Sequence, residues 1–470
     1  MERPVVMKFG GTSVADAAAI RRLIEHVQME RRRGSRPVVV VSALAGVTND
    51  LLGAASAAAA PDGGPDGILD TLRQRHLAVA ADLAGGTAGS ADDVAREISA
   101  RFDELAAVVR AIRTLKDASP RALDAIAATG ELLSGRIVQA AFTAAGIPAV
   151  WVDPRRLVIT SDDYTQAAPL FPEIDAAVPR ELEPALEAGA VPVTGGFVGA
   201  TRDGVTTTLG RGGSDYSAAI IGAAVNAREI QIWTDVDGML TADPRVVPAP
   251  RVVPALSFGE ASELAYFGAK VLHPSTILPA VARDIPVRIL NSRRPAAPGT
   301  IIASRGADEE NGRVAAIACK RNVTVVDVTS TRMLMAWGYL RRVFEVFERH
   351  RTSVDVVTTS EVSVSVTVDD DRRLNAIIAD LSEFAEVNAE HGMAILCAVG
   401  DGLRREPRVT ARMLGALEAF PLRMVSQAAS RRNVTVVLRD ADVPAAMSTL
   451  HELFFAVPAE EPRAAEAVRG

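Results

Sequence analysis

The opening segment of the chain constrains its fold most, because it dictates how a sheet must be built. A short buried strand, Val5 to Phe9, runs into Gly10-Gly11, and an amphipathic helix follows to about Arg31. Val38 to Val41 is then a fully apolar strand between Pro37 and the small-residue loop Ser42 to Thr48. Strand, glycine turn, helix and strand in that order imply a parallel sheet covered by helices, since parallel neighbours need a crossover and bury both faces. Ala149 to Val152, Val191 to Thr194 and Ile230 to Thr234 read as further buried strands, and residues 51–125 as a helical excursion interrupted by the loop Pro61 to Gly67. Phe197 to Ala200 and Val205 to Thr208 read as a hairpin turning at Asp203-Gly204.

With 470 residues the chain exceeds a single ordinary core. Periodicity stops near Ser304 to Gly312, a Gly/Asp/Glu/Asn-rich linker, and a repeat follows. Its first copy runs strand Val323 to Val328, helix Met335 to His350, strands Ser353 to Thr358 and Val362 to Val368, and helix Arg372 to Phe384. Trp337, Leu340, Phe344 and Phe347 give the first helix an apolar stripe. The second copy runs strand Ala394 to Val399, helix Val409 to Phe420, strands Leu422 to Ser426 and Val434 to Leu438, and helix Val443 to Phe455. This βαββαβ order predicts two small antiparallel sheets. The last strand of the second copy, Ala456 to Pro458, is poor, so a strand from elsewhere is expected to complete it.

Three polar clusters sit at strand ends. Lys8-Phe9-Gly10-Gly11-Thr12-Ser13 is suited to polyphosphate: glycines admit close approach of backbone N–H groups, a helix start favours anions, and the lysine adds a point charge. It lacks the P-loop order, because the lysine precedes the glycines. Taken alone it fits a strand-to-helix turn capped by Thr12 or Ser13 equally well. In Gly210-Arg211-Gly212-Gly213-Ser214-Asp215, Arg211 can grip a carboxylate and Asp215 an ammonium or a metal; the plainer reading is a flexible loop with a capping aspartate. Glu131, in Thr129-Gly130-Glu131, reads as a carboxylate at a helix start. Thr234-Asp235, with Asp237-Gly238 beyond, ends a predicted strand where open α/β sheets bind ligands. His273 before Pro274 is better read as a hydrogen-bonded structural histidine than as a base.

The net charge of −7, from 51 basic and 58 acidic residues, opposes a nucleic-acid partner. No run is long and apolar enough to span a bilayer, and Met1 leads directly into the first strand, so a cytoplasmic protein is expected. Cys319 and Cys397 sit in apolar surroundings as packed, reduced thiols; with six scattered histidines they give no zinc-site spacing and no metal site is expected.

Together these clusters resemble the aspartokinase family of the amino-acid kinase superfamily, over essentially the whole chain. The carrying motifs are KFGGTSV at 8–14, SALAGVTNDL at 42–51, TGELLSGRI at 129–137, GRGGSDYSA at 210–218, WTDVDG at 233–238 and FGAKVLHP at 267–274; VDVVTTSEVSVSVTV at 354–368 is similar to the family's effector segment. The resemblance implies an α/β catalytic domain over 1–303 with a mostly parallel sheet sandwiched by helices. A linker at 304–312, ACT domains at 313–391 and 392–458 and a tail at 459–470 would follow. It implies transfer of the γ-phosphoryl group of ATP, with Mg2+, to the β-carboxylate of L-aspartate, the first step towards lysine, threonine and methionine. A kinase of another small carboxylate such as glutamate, or a non-catalytic amino-acid sensor, are the alternatives.

Carried over by residue, Lys8 with the Gly10 and Gly11 amides would stabilise the transferring phosphoryl group. Thr48 and Glu131 would contact aspartate, with Glu131 at its ammonium; Arg211 would hold the α-carboxylate, with Gly212, Gly213, Ser214 and Asp215 completing the pocket. Thr234, Asp235, Arg245, Lys270 and Val271 would hold ATP, and Leu240 stands where the family often has tyrosine. Lysine is the effector implied, bound against Met333, Ala336, Ser353, Val354, Asp355, Thr359 and Ser360, with Asp355 suited to its ammonium. A homodimer through the ACT region is expected.

Overall fold

Val5–Phe9 (β1) is buried at every residue because it lies inside a parallel sheet, flanked by Pro37–Val41 (β2) on one side. The computed structural model describes residues 2–60, 67–84, 88–268, 274–304, 312–331, 337–427 and 430–456. They form two compact units: Met1–Met239 with Pro254–Phe258 and Lys270–Arg305, and Leu240–Val253 with Gly259–Ala269 and Gly306–Gly470. Two segments of the expected catalytic stretch, 240–253 and 259–269, thus belong to the second unit.

In the first unit, Ala17–Arg32 (α1) joins β1 to β2. Four helices follow: Val47–Ala59 (α2), Ile68–Leu83 (α3), Ala88–Leu115 (α4) and Pro120–Ala144 (α5). Then come Ala149–Trp151 (β3), Phe171–Glu187 (α6), Val191–Gly195 (β4), the hairpin Val198–Ala200 (β5) and Thr206–Thr208 (β6), Gly213–Ala224 (α7) and Glu229–Thr234 (β7). Ala255–Ser257 (β8), Leu278–Ala282 (α9), Val287–Asn291 (β9) and Thr300–Ala303 (β10) complete it; Phe258–Tyr266 (α8), directly after β8, belongs from Gly259 on to the second unit. The sheet order is β3-β4-β2-β1-β7-β9-β10-β8, parallel except between β9 and β10. From β1 the chain winds towards β2, while β7 lies on β1's other side, so the ends of β1 and β7 flank a topological switch point, where such sheets take ligands.

The second unit corrects an expectation. Ala316–Thr329 (β11), Val357–Thr359 (β12), Ser363–Val368 (β13), Glu386–Val399 (β14), Met424–Ser426 (β15) and Asn433–Arg439 (β16) form one six-stranded sheet, β12-β13-β11-β14-β16-β15, instead of two small ones. The cause is strand length. At 14 residues each, β11 and β14 serve both repeats: Val323–Thr329 pairs with the start of β14, and Ala316–Lys320 with its end. Ala316–Lys320 is the outside strand that completes the second copy. A register shift between Lys320 and Val323, with Asn322 at φ 58°, marks the join.

Tyr339–Arg349 (α10) and Leu374–Ser382 (α11) cover the first copy; Pro407–Ala416 (α12) and Val443–Phe455 (α13) pack in the core of the second. The stripe expected in α10 is displaced: Tyr339, Val343, Val346 and Phe347 are buried, and Trp337 is fully exposed. Gly338, in the left-handed region at φ 77°, starts the helix after Trp337 and so excludes it from the stripe. No helix among the described residues is long and apolar enough to cross a membrane. Both cysteines are free; burial pushes the Cys319 thiol up to about 11 and Cys397 up to about 12.

Candidate active site

Lys8 projects from the last turn of pleat in β1 and is nearly buried, yet its ammonium is paired: Nζ lies 2.7 Å from Asp215 Oδ1. Asp215 is held in the first turn of α7, which Gly212 opens at φ 73°. The glycine loop differs from its sequence reading. Gly11–Ser13 is a single 3-10 turn, and α1 begins only at Ala17, capped by Asp16 accepting from Ala19 N–H. The helix-start argument therefore does not apply to Thr12-Ser13. Gly10 N–H is donated to the Trp233 carbonyl at 3.1 Å. Gly11 and Thr12 keep the loop amides without a partner among the described residues, as expected at the start of a helical turn. The neighbouring loop packs tightly on Gly11: a Cβ there would meet the Ala43 carbonyl at 3.2 Å and press it back.

Glu131 is not at a helix start but deep within α5, only 3% exposed, so simple capping is excluded. Its Oε2 has no hydrogen-bond partner among the described residues. Burial pushes the carboxyl up to about 8, against the opposing pull of the Ala43 backbone amide and the Lys8 ammonium. Glycines bring its neighbours close. A Cβ on Gly130 would stand 2.7 Å from Ala43 Cβ, and one on Gly195 3.2 Å from Glu131 Cβ. A Cβ on Gly196 would overlap Ser214 at 2.7 Å. Lys8, Glu131, Ser214 and Asp215 thus converge around Gly195-Gly196. Thr48 is half-buried in the first turn of α2.

Arg211 is exposed and has no ion-pair partner among the described residues. Its loop is anchored by a residue that the sequence did not single out. Buried Asp124 accepts from Thr165 N–H at 2.9 Å, Thr208 N–H at 3.1 Å and Thr208 Oγ1 at 2.6 Å, and burial raises its pKa. Asp124 precedes Glu131 by about two turns of the same helix. One helix therefore carries Glu131 and fixes the stem of the Arg211 loop. Arg75 of α3 plays a similar part for the loops after β1 and β2, donating to the carbonyls of Ala45 at 2.8 Å and Ala15 at 3.1 Å. No motif marked either residue; only their position in helices facing the loops reveals them.

Thr234 and Asp235, expected to hold ATP, lie at the end of β7, and Thr234 Oγ1 donates to Asp235 at 3.2 Å. Beneath them His26 stacks on Trp233 with centroids 4.3 Å apart, and its Nε2 lies 2.9 Å from the Ser292 carbonyl. Ser13 Oγ donates to Ser292 Oγ at 2.9 Å, tying β1's loop to the turn after β9. Asn291 Nδ2 donates to Asp237 at 2.8 Å. Leu240 and Arg245 belong to the second unit, where Arg245 pairs with Asp243 at 2.6 Å and Leu240 bridges to Val252. Lys270, Val271 and His273 lie outside the described residues.

Of the expected effector residues, Met333 and Ala336 lie outside the described residues. Ser353, Val354, Thr359 and Ser360 lie along the segment entering and leaving β12, and Ser360 Oγ and Ser363 Oγ are 2.7 Å apart. Asp355 is different from the rest. Its carboxylate is 2% exposed and already meets Lys320 Nζ at 2.8 Å.

The chain matches the amino acid kinase family over residues 3–291 and the ACT domain over 396–454. It is 36% identical to lysine-sensitive aspartokinase 3 of Escherichia coli K12, covering 97% of this chain and 100% of that one. The crystal structure of E. coli aspartokinase III with aspartate and ADP superposes with a TM-score of 0.81 at 36% identity, covering 96% of this chain and all of that one. The complex of the same enzyme with lysine and aspartate gives 0.79, covering 96% and 99%. With end-to-end similarity to these enzymes, the chain belongs to the aspartokinase family, the ATP-dependent kinases of aspartate.

Proposed function

We infer that this chain uses the Lys8 cluster to transfer the γ-phosphoryl group of MgATP to the β-carboxylate of L-aspartate, giving 4-phospho-L-aspartate. The observation that carries the assignment of roles is a buried carboxylate with an unpartnered oxygen, Glu131, beside the Lys8–Asp215 pair. An empty buried carboxylate is costly unless a cation completes it. The ammonium of aspartate is that cation, and its α-carboxylate is the partner of the exposed Arg211 guanidinium. Thr48 and Ser214 supply neutral hydrogen bonds between the two ends.

The acceptor carboxylate is ionised at neutral pH, so no general base is required. Catalysis reduces to alignment and to neutralising charge on the phosphoryl oxygens, for which Lys8 and the amides of Gly11 and Thr12 are placed. Asp215 holds the Lys8 ammonium in position. Magnesium bound with the nucleotide would neutralise charge on the phosphate oxygens and would need one or two carboxylates of the protein to hold it. Asp215 and Asp235 at this edge of the sheet fit that modest demand, and the described residues contain no cluster of three or more His, Cys, Asp or Glu ligands. Thr234 and Asp235, with Arg245, Leu240, Lys270 and Val271, are assigned to the nucleotide.

Lysine is the effector assigned to the Asp355 segment, in keeping with the lysine-sensitive E. coli relative. A homodimer through the ACT sheet is favoured by its open edges, where Val357 of β12 and Val425 of β15 are exposed, and by the fully exposed Trp337 just before α10. The deciving assay is ADP release with aspartate, glutamate and N-acetylglutamate, each with and without lysine, threonine and methionine. Aspartate alone should support turnover, and lysine should suppress it. Turnover on glutamate in preference to aspartate would overturn the substrate assignment.

A further inference from the structure

The second unit contains a complete primary-ammonium pocket, and the chain fills it itself. Lys320 leaves β11 at the register shift and places Nζ 2.9 Å from Asp355 Oδ1, 2.8 Å from Asp355 Oδ2 and 2.7 Å from Asp369 Oδ2. An ammonium has three donors, and these contacts engage them. Tyr266 of α8 forms the wall: its hydroxyl donates to Asp355 Oδ1 at 2.6 Å, and its ring centroid lies 5.1 Å from Nζ. The Asp355 backbone is pinned as well, its N–H donating to the Thr367 carbonyl at 3.0 Å. Two carboxylates and an aromatic face around a partly buried nitrogen are the features by which a protein would recognise an amino acid's ammonium group.

We propose that Lys320 is a built-in competitor for the ammonium of the amino-acid effector, which reaches Asp355 only by displacing the Lys320 side chain. This rests on the assignment of Asp355 to the effector. Displacement has a physical route. Asp369 is 42% exposed at its side chain, so Lys320 can keep that partner while swinging towards solvent on its flexible stem. Asp355, by contrast, is buried and must always hold a cation, its own or the effector's. Self-occupancy therefore sets the effector threshold. A pocket closed by its own ligand nine-tenths of the time weakens an incoming one about tenfold.

The test uses the full chain, with L-lysine as probe in calorimetry and in the ADP-release assay, on wild type, Lys320→Met, Lys320→Arg and Asp355→Asn. Removing the competitor in Lys320→Met should lower the dissociation constant and the half-inhibitory concentration of L-lysine about tenfold, while Lys320→Arg stays near wild type. Asp355→Asn should abolish binding. A thermal melt guards against misfolding: n-butylamine, an ammonium without a carboxylate, should raise the Tm of Lys320→Met and leave wild type unmoved. Unchanged or weaker lysine binding in Lys320→Met, with Asp355→Asn still abolishing it, overturns the competitor and leaves the effector site standing. Lysine binding that survives Asp355→Asn, or is absent from every variant, overturns the effector assignment and the competitor with it.

Discussion

Two lysine–aspartate pairs of nearly equal length lie in different units and do opposite things. Lys8–Asp215, at 2.7 Å, stands beside a buried carboxylate, Glu131, that has an oxygen without a partner. Lys320–Asp355, at 2.8 Å, stands in a cluster whose donors and acceptors are already engaged, by Asp369 on the ammonium and by the Tyr266 hydroxyl on the carboxylate. An ion pair by itself therefore says little about function. What distinguishes a site prepared for a ligand is the unsatisfied group next to the pair, because burial makes that group costly until something binds.

The contrast is broken most severely at Lys8. Lys8→Ala should lower kcat by about 10²–10³, the usual loss for one transition-state donor, with the fold intact by circular dichroism; near wild-type turnover would remove Lys8 from the chemistry. Glu131→Gln comes next. A hydrogen bond to a charged group contributes about 1.5–3 kcal/mol, so the KM for aspartate should rise by about 10- to 100-fold, while that for ATP changes far less. Equal losses for both substrates would indicate global damage instead.

Asp124→Ala should have a smaller effect, acting through position. It strands the Thr165 and Thr208 donors and loosens the Arg211 loop, so the aspartate KM should rise severalfold with little change in kcat. If the residue works through the loop, adding Arg211→Ala to Asp124→Ala should cost less than Arg211→Ala costs alone. Fully additive effects would leave Asp124 a structural residue only. The smallest change is at Trp337. Being fully exposed, Trp337→Ala should alter monomer stability by less than about 0.5 kcal/mol but weaken dimerisation, as light scattering at micromolar concentration would show. A strict monomer in the wild type would contradict the dimer.

How far the sequence reached follows the same physics. Strand ends with glycines and charges were legible at Lys8, Arg211 and Thr234, and it was their recurrence together, not any one of them, that pointed to a ligand; Glu131, read at a helix start, lies deep within α5. Distances were not legible. That Gly195-Gly196 lets Glu131 approach Ser214, or that Asp124 ties two loops together, depends on contacts between segments far apart in sequence. β8 and β10 escaped notice because they are only three and four residues long, and β9 because Arg288 and Asn291 interrupt its apolar run. The single C-terminal sheet was missed for a local reason: the polar Lys320-Arg321-Asn322 precedes the strand as read from Val323, and is instead the irregular middle of β11. That stretch also supplies Lys320, whose partner Asp355 was recognised while Lys320 itself was not.

The protonation of Glu131 gives the account a sign that can be measured. With its carboxyl pushed up to about 8 by burial, the empty site is mostly neutral at pH 7, and the folded state holds a proton that the unfolded chain lacks between roughly pH 4.5 and 8. Stability of the empty enzyme should therefore decline as pH rises through that window. Aspartate affinity should increase by up to about tenfold per unit towards pH 8 and then level off.

Calorimetry of aspartate binding to the MgADP-loaded enzyme at pH 7, in buffers of different ionisation enthalpy, reads this directly. The ammonium should drive Glu131 to its ionised form, so the wild type should release close to one proton on binding and Glu131→Gln none. Aspartate binding without buffer dependence in the wild type, or with the same proton release in Glu131→Gln, would contradict the assignment of Glu131 as the receptor of the substrate's ammonium.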